Sequence, residues 1–184
     1  MSPEWLTAIG TIGTFVVIAA SAVAALLQIR HMRAGNQIIA LNETRETIES
    51  PEFQATILFV RELPQRLLDP EVRKTLTSAA FPPEYQRLRT LANFFEHLGT
   101  LVKNGIIDRT IAADLWGGVI LGNWKALAPI IEHRRLALRQ NALWENFEYL
   151  AVVCEDFRNR HPRGTFPKGM RRMESAQRWP EDSD

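Results

Sequence analysis

No charged residue occurs between Glu4 and Arg30. The window from Trp5 to Ile29 is 25 residues long, and 18 of them are hydrophobic. As a helix it reaches about 37 Å at ~1.5 Å per residue. A bilayer's hydrocarbon core is ~30 Å thick, so the segment can cross with some tilt. Lipid offers no hydrogen-bond partner, which leaves a lone crossing segment no option but helix. Ser2 as cap, Pro3 at the first position and Glu4 near the positive end of the dipole read as a helix start. Trp5 sits where an interfacial aromatic is favoured.

The flanks set an orientation. Glu4 precedes the window, whereas Arg30 and Arg33 follow it with His31 between them. The positive-inside rule places the side after Arg30 in the cytoplasm and the short N-terminus outside. A cleaved signal peptide needs a basic start and an apolar stretch of about 7–15 residues; this segment has an acidic start and is longer. Residues 1–33 are therefore read as an uncleaved anchor bounded by Trp5, Ile29, Arg30 and Arg33. Ala20–Ala24 and Ser21–Ala25 are small residues four apart, which permits close helix approach and a homo-oligomer. Such pairs are common in alanine-rich spans.

From residue 34 to 157 the pattern is helical, with no alternation of β-branched residues. Ile38, Leu41, Arg45 and Ile48 continue the first helix. Ser50-Pro51-Glu52 starts a new one, and Phe53, Ile57, Val60, Leu63 and Leu67 fall on one face of it. Pro64 bends or ends that helix, Asp69-Pro70-Glu71 opens another, and Phe81-Pro82-Pro83 is a break. A further helix is expected from about Glu84 to Asn104, with Leu88, Leu91, Phe94 or Phe95, Leu98 and Leu101 as its stripe and Gly105 past its end. Asp108 starts the next. Residues 115–131 do not read as a second span, because Asn123 and Lys125 interrupt and the uncharged run from Leu115 to Trp124 is only ten residues; a buried core helix is expected, with Gly118 and Gly122 permitting close packing and Pro129 kinking or breaking it. The last helix is placed at Asn141–Phe157, with Leu143, Phe147, Leu150, Cys154 and Phe157 inward. The aromatics dense after residue 94 read mostly as core. The expected architecture is all-α, one transmembrane helix followed by an antiparallel helical bundle.

Residues 158–184 form a basic tail. Arg158, Arg160, Arg163, Lys168, Arg171, Arg172 and Arg178 are opposed by Glu174 until the acidic end at Glu181. The plain expectation is a solvated, disordered tail. The alternative is contact with an anionic leaflet through Lys168, Arg171, Arg172 and Trp179, at about 1 kcal/mol per basic residue near the surface.

Little in the chain suggests chemistry. The net charge is +1, so bulk nucleic-acid binding is not expected. A single cysteine, Cys154, excludes an intramolecular disulfide framework; on an apolar stripe its thiol should be inert. His31 and His161 look local. Glu96-His97 and Glu132-His133 are adjacent pairs whose members point about 100° apart on a helix, and no two histidines have ligand spacing. Neither a metal nor a cofactor is expected. A tethered enzyme would require Glu96, His97, Glu132 and His133 to converge by folding.

Several stretches together resemble a known family. They are Phe94-Phe95-Glu96-His97-Leu98-Gly99, Leu101-Val102, Gly105-Ile106-Ile107-Asp108, Leu115-Trp116-Gly117-Gly118, Trp124, Pro129-Ile130-Ile131 and Asn146-Phe147-Glu148-Tyr149-Leu150. Their order and spacing over residues 38–157 resemble the bacterial domain-of-unknown-function family numbered forty-seven sixty. The resemblance implies a single-span protein of the bacterial inner membrane with a small helical cytoplasmic domain. It brings no activity, cofactor or catalytic residue. The expectation for function is a membrane-anchored interaction or accessory module that binds another protein, with a tethered enzyme or a lipid sensor as alternatives.

Overall fold

A computed structural model describes residues 3–76 and 82–173, with the side chains of residues 6–9, 33 and 84 outside the description. The expected cap Ser2, the break residue Phe81, and Glu174, Arg178 and Trp179 of the tail lie outside the described residues. Those described are helical with no strand.

The first helix, α1, runs unbroken over Pro3–Glu49, about 70 Å at ~1.5 Å per residue. It is long and apolar enough to cross a membrane, and among the described residues none covers its most apolar stretch. Trp5, Ile29 and Arg30 are exposed. Only the far end of α1 touches the body, where Thr44 and Ile48 are buried and Ala40 and Leu41 half-buried. As expected, Ile38, Leu41, Arg45 and Ile48 continue this helix; Ile38 and Arg45 face out, and Arg45 pairs with Glu49 at 3.3 Å. The inward face therefore runs through Thr44, one residue before Arg45 and 100° around the helix.

Local chemistry explains the following elements. Helix α2 (Pro51–Arg61) begins where Phe53 N–H donates to Ser50 Oγ at 3.3 Å. Pro51 in its first turn loses nothing, since its N–H would be unpaired there. Its neighbours are α3 (Leu63–Arg66), which carries Pro64 in its first turn, and α4 (Pro70–Leu76), where Glu71 N–H donates to Asp69 Oδ1. A 3-10 turn at Pro83–Tyr85 leads into α5 (Gln86–Lys103). Gly105 ends α5 at φ +69°, donating to Val102 O while Ile106 donates to Leu101 O. This paired closure needs the left-handed residue that glycine supplies without strain.

Helix α6 (Arg109–Leu138) starts at Asp108, whose carboxylate accepts from Thr110 N–H and Ile111 N–H. It continues through Pro129 to a full 30 residues, so of the kink or break expected there the break does not occur. Helix α7 covers Glu145–Arg160, starting four residues later than expected and ending three later. The cause is backbone: Arg139 and Trp144 both adopt positive φ, so residues 140–144 form a turn that reverses the chain.

Helices α5, α6 and α7 form an antiparallel bundle, with α7 packed on both others and α2 laid across α5 and α6. A relay of rings joins four helices. Phe53 of α2 meets Phe95 of α5 at 6.0 Å, Phe95 stacks on Phe147 of α7 at 4.9 Å, and Phe147 meets Trp124 of α6 edge-on at 5.1 Å. Such pairs add about 0.5–1.5 kcal/mol each beyond the area they bury.

Candidate functional site

Three places combine polar side chains with concave surface: the α5–α7 junction and two clefts on either flank of α6.

At the junction, one face of α5 presents Asn93, Glu96, Gly99 and Lys103 at spacings of three, three and four, so all point one way. Asn93 Oδ1 accepts from the Trp144 indole at 2.8 Å. Glu96 accepts from Phe147 N–H at 2.9 Å and from Asn146 Nδ2 at 2.7 Å. Lys103 Nζ donates to Asn146 Oδ1 at 3.1 Å. Gly99 faces the carbonyl of Asn146 so closely that a Cβ there would overlap it. Trp144, at the N-cap of α7, has no side-chain capping bond of its own. Glu96 does that work from another helix, placing a carboxylate at the positive end of the dipole. From the opposite side, Arg135 donates to Leu143 O at 2.8 Å and pairs with Glu148 at 2.7 Å. Glu96 thus belongs to a structural lock.

This settles where the four residues of the tethered-enzyme alternative lie. Glu96 is spent on the α7 cap and lines a shallow hollow with Asn93 and the 140–144 turn. His133 lines a different cleft, which shares no residue with that hollow. His97 and Glu132 are exposed. The fold does not gather the four. Among the described residues no three His, Cys, Asp or Glu side chains are grouped to hold a metal ion.

The first cleft, of about 390 Å³, lies between α6 and the chain that leaves α7. Its floor is Gly117, Gly118 and Gly122, and its rim carries Lys125, Arg158 and His161. Thr165 donates to Asp114 at 2.9 Å, holding the start of the tail against α6. Gly118 and Gly122 do not serve helix packing, contrary to expectation: open space lies where their Cβ atoms would be. The neighbouring Gly117 contacts Cys154 instead, because one residue along a helix is a 100° turn. Gly118→Ala and Gly122→Ala should each stabilise the protein by about 0.5–1 kcal/mol, since alanine fixes helical backbone at lower entropic cost. Urea unfolding of the full chain in mild detergent checks this; a lower midpoint for either variant contradicts it.

Cys154 is buried at 1% exposure in the same region. Burial pushes its thiol up to about 12 from an ordinary value of 9.0. The folded state then holds a proton that an unfolded chain releases near pH 9. The associated stability is full below that pH and is lost as pH rises toward 12. At about pH 10.5 the loss should be about 2 kcal/mol. Comparing wild type with Cys154→Ala at pH 8 and pH 10.5 isolates it; equal pH slopes would refute the assignment.

The second cleft, of about 290 Å³, lies between the α3–α4 segment and the second half of α6. Leu67, Leu68, Pro129 and Ile130 supply apolar walls, Arg73 and Lys125 the charge, and His133 an imidazole. Arg73 also donates to Leu67 O and Leu68 O, closing the end of α3.

Two arginines on α6 were invisible to sequence reasoning. Arg135 is described above. Arg134 is buried at 6% exposure and donates to Leu76 O at the end of α4. Burial, and secondarily the charge of Arg89, lowers its pKa from the ordinary arginine value. Two consecutive arginines on a helix carry no signal of burial.

In the tail, Lys168, Arg171 and Arg172 are exposed, and the Arg172 guanidinium lies 4.7 Å from the Phe166 ring centre. Among anchor residues, Arg33 lies within α1 with its side chain outside the description.

A family model described as "Domain of unknown function (DUF4760)" matches residues 15–152, about three quarters of the chain. No curated protein and no solved structure matches it.

Proposed function

Because the chain belongs to the DUF4760 family, whose function is unknown, we propose its role from geometry: a membrane-anchored interaction or accessory module that binds another protein. In this reading α1 crosses a bacterial inner membrane once, with the N-terminus outside and the helical body in the cytoplasm.

The observation that carries it is the position of α1. The body closes its core around its own aromatic relay and leaves the apolar stretch of α1 uncovered. A stretch of that length and composition has the bilayer as its natural solvent. Thr14, a polar residue within it, donates its hydroxyl to Gly10 O at 2.9 Å. That bond satisfies the hydroxyl internally, as a lipid environment demands. Arg30 and Arg33 on one flank against Glu4 on the other support the orientation. Residues 30–39 would then form a helical stalk of about 15 Å between bilayer and body. Domains held near a membrane by one helix gain effective concentration toward partners in the same membrane.

Two measurements test this. In bacterial cells the full chain should stay in the membrane pellet through alkaline carbonate washing, with its C-terminal body protected from protease added to spheroplasts. Release of a shortened soluble chain would mean a cleaved signal. Mild crosslinking in native membranes should then recover one recurrent heterologous protein. Crosslinks to itself alone would replace the accessory role with a homo-oligomer.

A further inference from the structure

We propose that the cleft between the α3–α4 segment and the second half of α6 docks an acidic peptide segment of a partner protein, which inserts one apolar side chain. This deepens the interaction-module reading and rests on it.

Three observations favour that occupant. The first is charge: Arg73 and Lys125 line the cleft together with His133, and among the described residues no Asp or Glu does. Among the described residues, the side chains of Lys125 and His133 make no hydrogen bond or ion pair, and both are exposed. The Lys125 ammonium, beside the Arg73 guanidinium and an apolar hollow, complements a ligand that is apolar at its centre and anionic at its edges. The second is apolar exposure. Leu68 in the wall exposes 74% of its surface. A large exposed aliphatic in the wall of a concave site suits a contact surface.

The third is size. At about 290 Å³ the cleft falls at the bottom of the ~300–1,000 Å³ span of small-molecule pockets. It holds an anchor side chain, as interface hot spots do, and has little room for a whole cofactor.

The test uses the full chain in nanodiscs of neutral phosphatidylcholine, panned against a display library of random peptides about twelve residues long. The selected class should place Trp, Phe or Leu beside two or more Asp or Glu residues. Its affinity should fall about tenfold or more in the double variant Lys125→Glu/His133→Glu, and likewise in Leu68→Glu. All three sites are exposed, so the unfolding midpoint of each variant should match wild type. Selection of no acidic–apolar class, or unchanged affinity in these variants, overturns the proposal. So does binding to phosphatidylserine vesicles through the same residues without peptide selection. Crosslinking in native membranes separates this inference from the broader reading: a recurrent partner captured equally by wild type and by K125E/H133E keeps the interaction module and overturns the cleft.

Discussion

Replacing Gly99 with alanine should cost about 3 kcal/mol or more. A Cβ at that position would overlap the carbonyl carbon and oxygen of Asn146 and press on its Cβ at 3.2 Å. Those atoms are mostly backbone at the first turn of α7, so no rotamer change makes room. Relief requires moving the start of α7 away from α5. That motion also stretches the Glu96, Lys103 and Asn93 contacts, which all lie on the same face of α5. With a denaturant slope of ~1–3 kcal/mol per molar, the urea midpoint of the full chain in detergent should fall by about 1–3 M. Gly118→Ala is the internal control: the same chemical change, also within a helix, should raise the midpoint. Equal midpoints for Gly99→Ala and wild type would show that α5 and α7 do not meet at this residue.

Glu96→Ala should lose about 3 kcal/mol. It removes two charge-assisted hydrogen bonds, each contributing ~1.5–3 kcal/mol before relaxation. It also removes the carboxylate from the positive end of α7. The Phe147 N–H would be left without its partner in a half-buried setting. Glu96→Gln keeps an acceptor oxygen, and should lose about half as much. The same lesion should loosen the turn that holds Trp144, which adopts positive φ without glycine's freedom. The near-UV tryptophan signal should therefore weaken before the far-UV helical signal does. If both variants kept wild-type stability, Glu96 would not be the cap of α7 and its candidacy for chemistry would reopen.

Both results concern the stretches that carry the family resemblance. Glu96 and Gly99 belong to one, Asn146 and Phe147 to another, and the fold brings them together across about fifty residues of chain. In sequence, Glu96 is one of four residues that only folding could bring together for chemistry. A carboxylate capping a distant helix and one facing solvent have the same local sequence, so spacing could not tell them apart. The glycines show the same limit. Gly118 and Gly122 looked like packing positions and lie open, whereas Gly99 makes the close approach.

What the sequence by itself determined is the set of features controlled by a few neighbouring residues. The length and apolarity of α1, the caps at Ser50 and Asp108, the left-handed Gly105 and the inward stripes of α2, α5 and α7 all follow from local hydrogen bonding and the 3.6-residue period. What only the tertiary structure decided is which surfaces meet. It turned Glu96 into a cap, buried Arg134 beneath the end of α4, set Trp144 in a left-handed turn and opened a basic-rimmed cleft beside Pro129. The physical reason is that periodicity gives the face a helix buries and says nothing of the element that will cover it. That pairing depends on loop geometry and on contacts made many residues away.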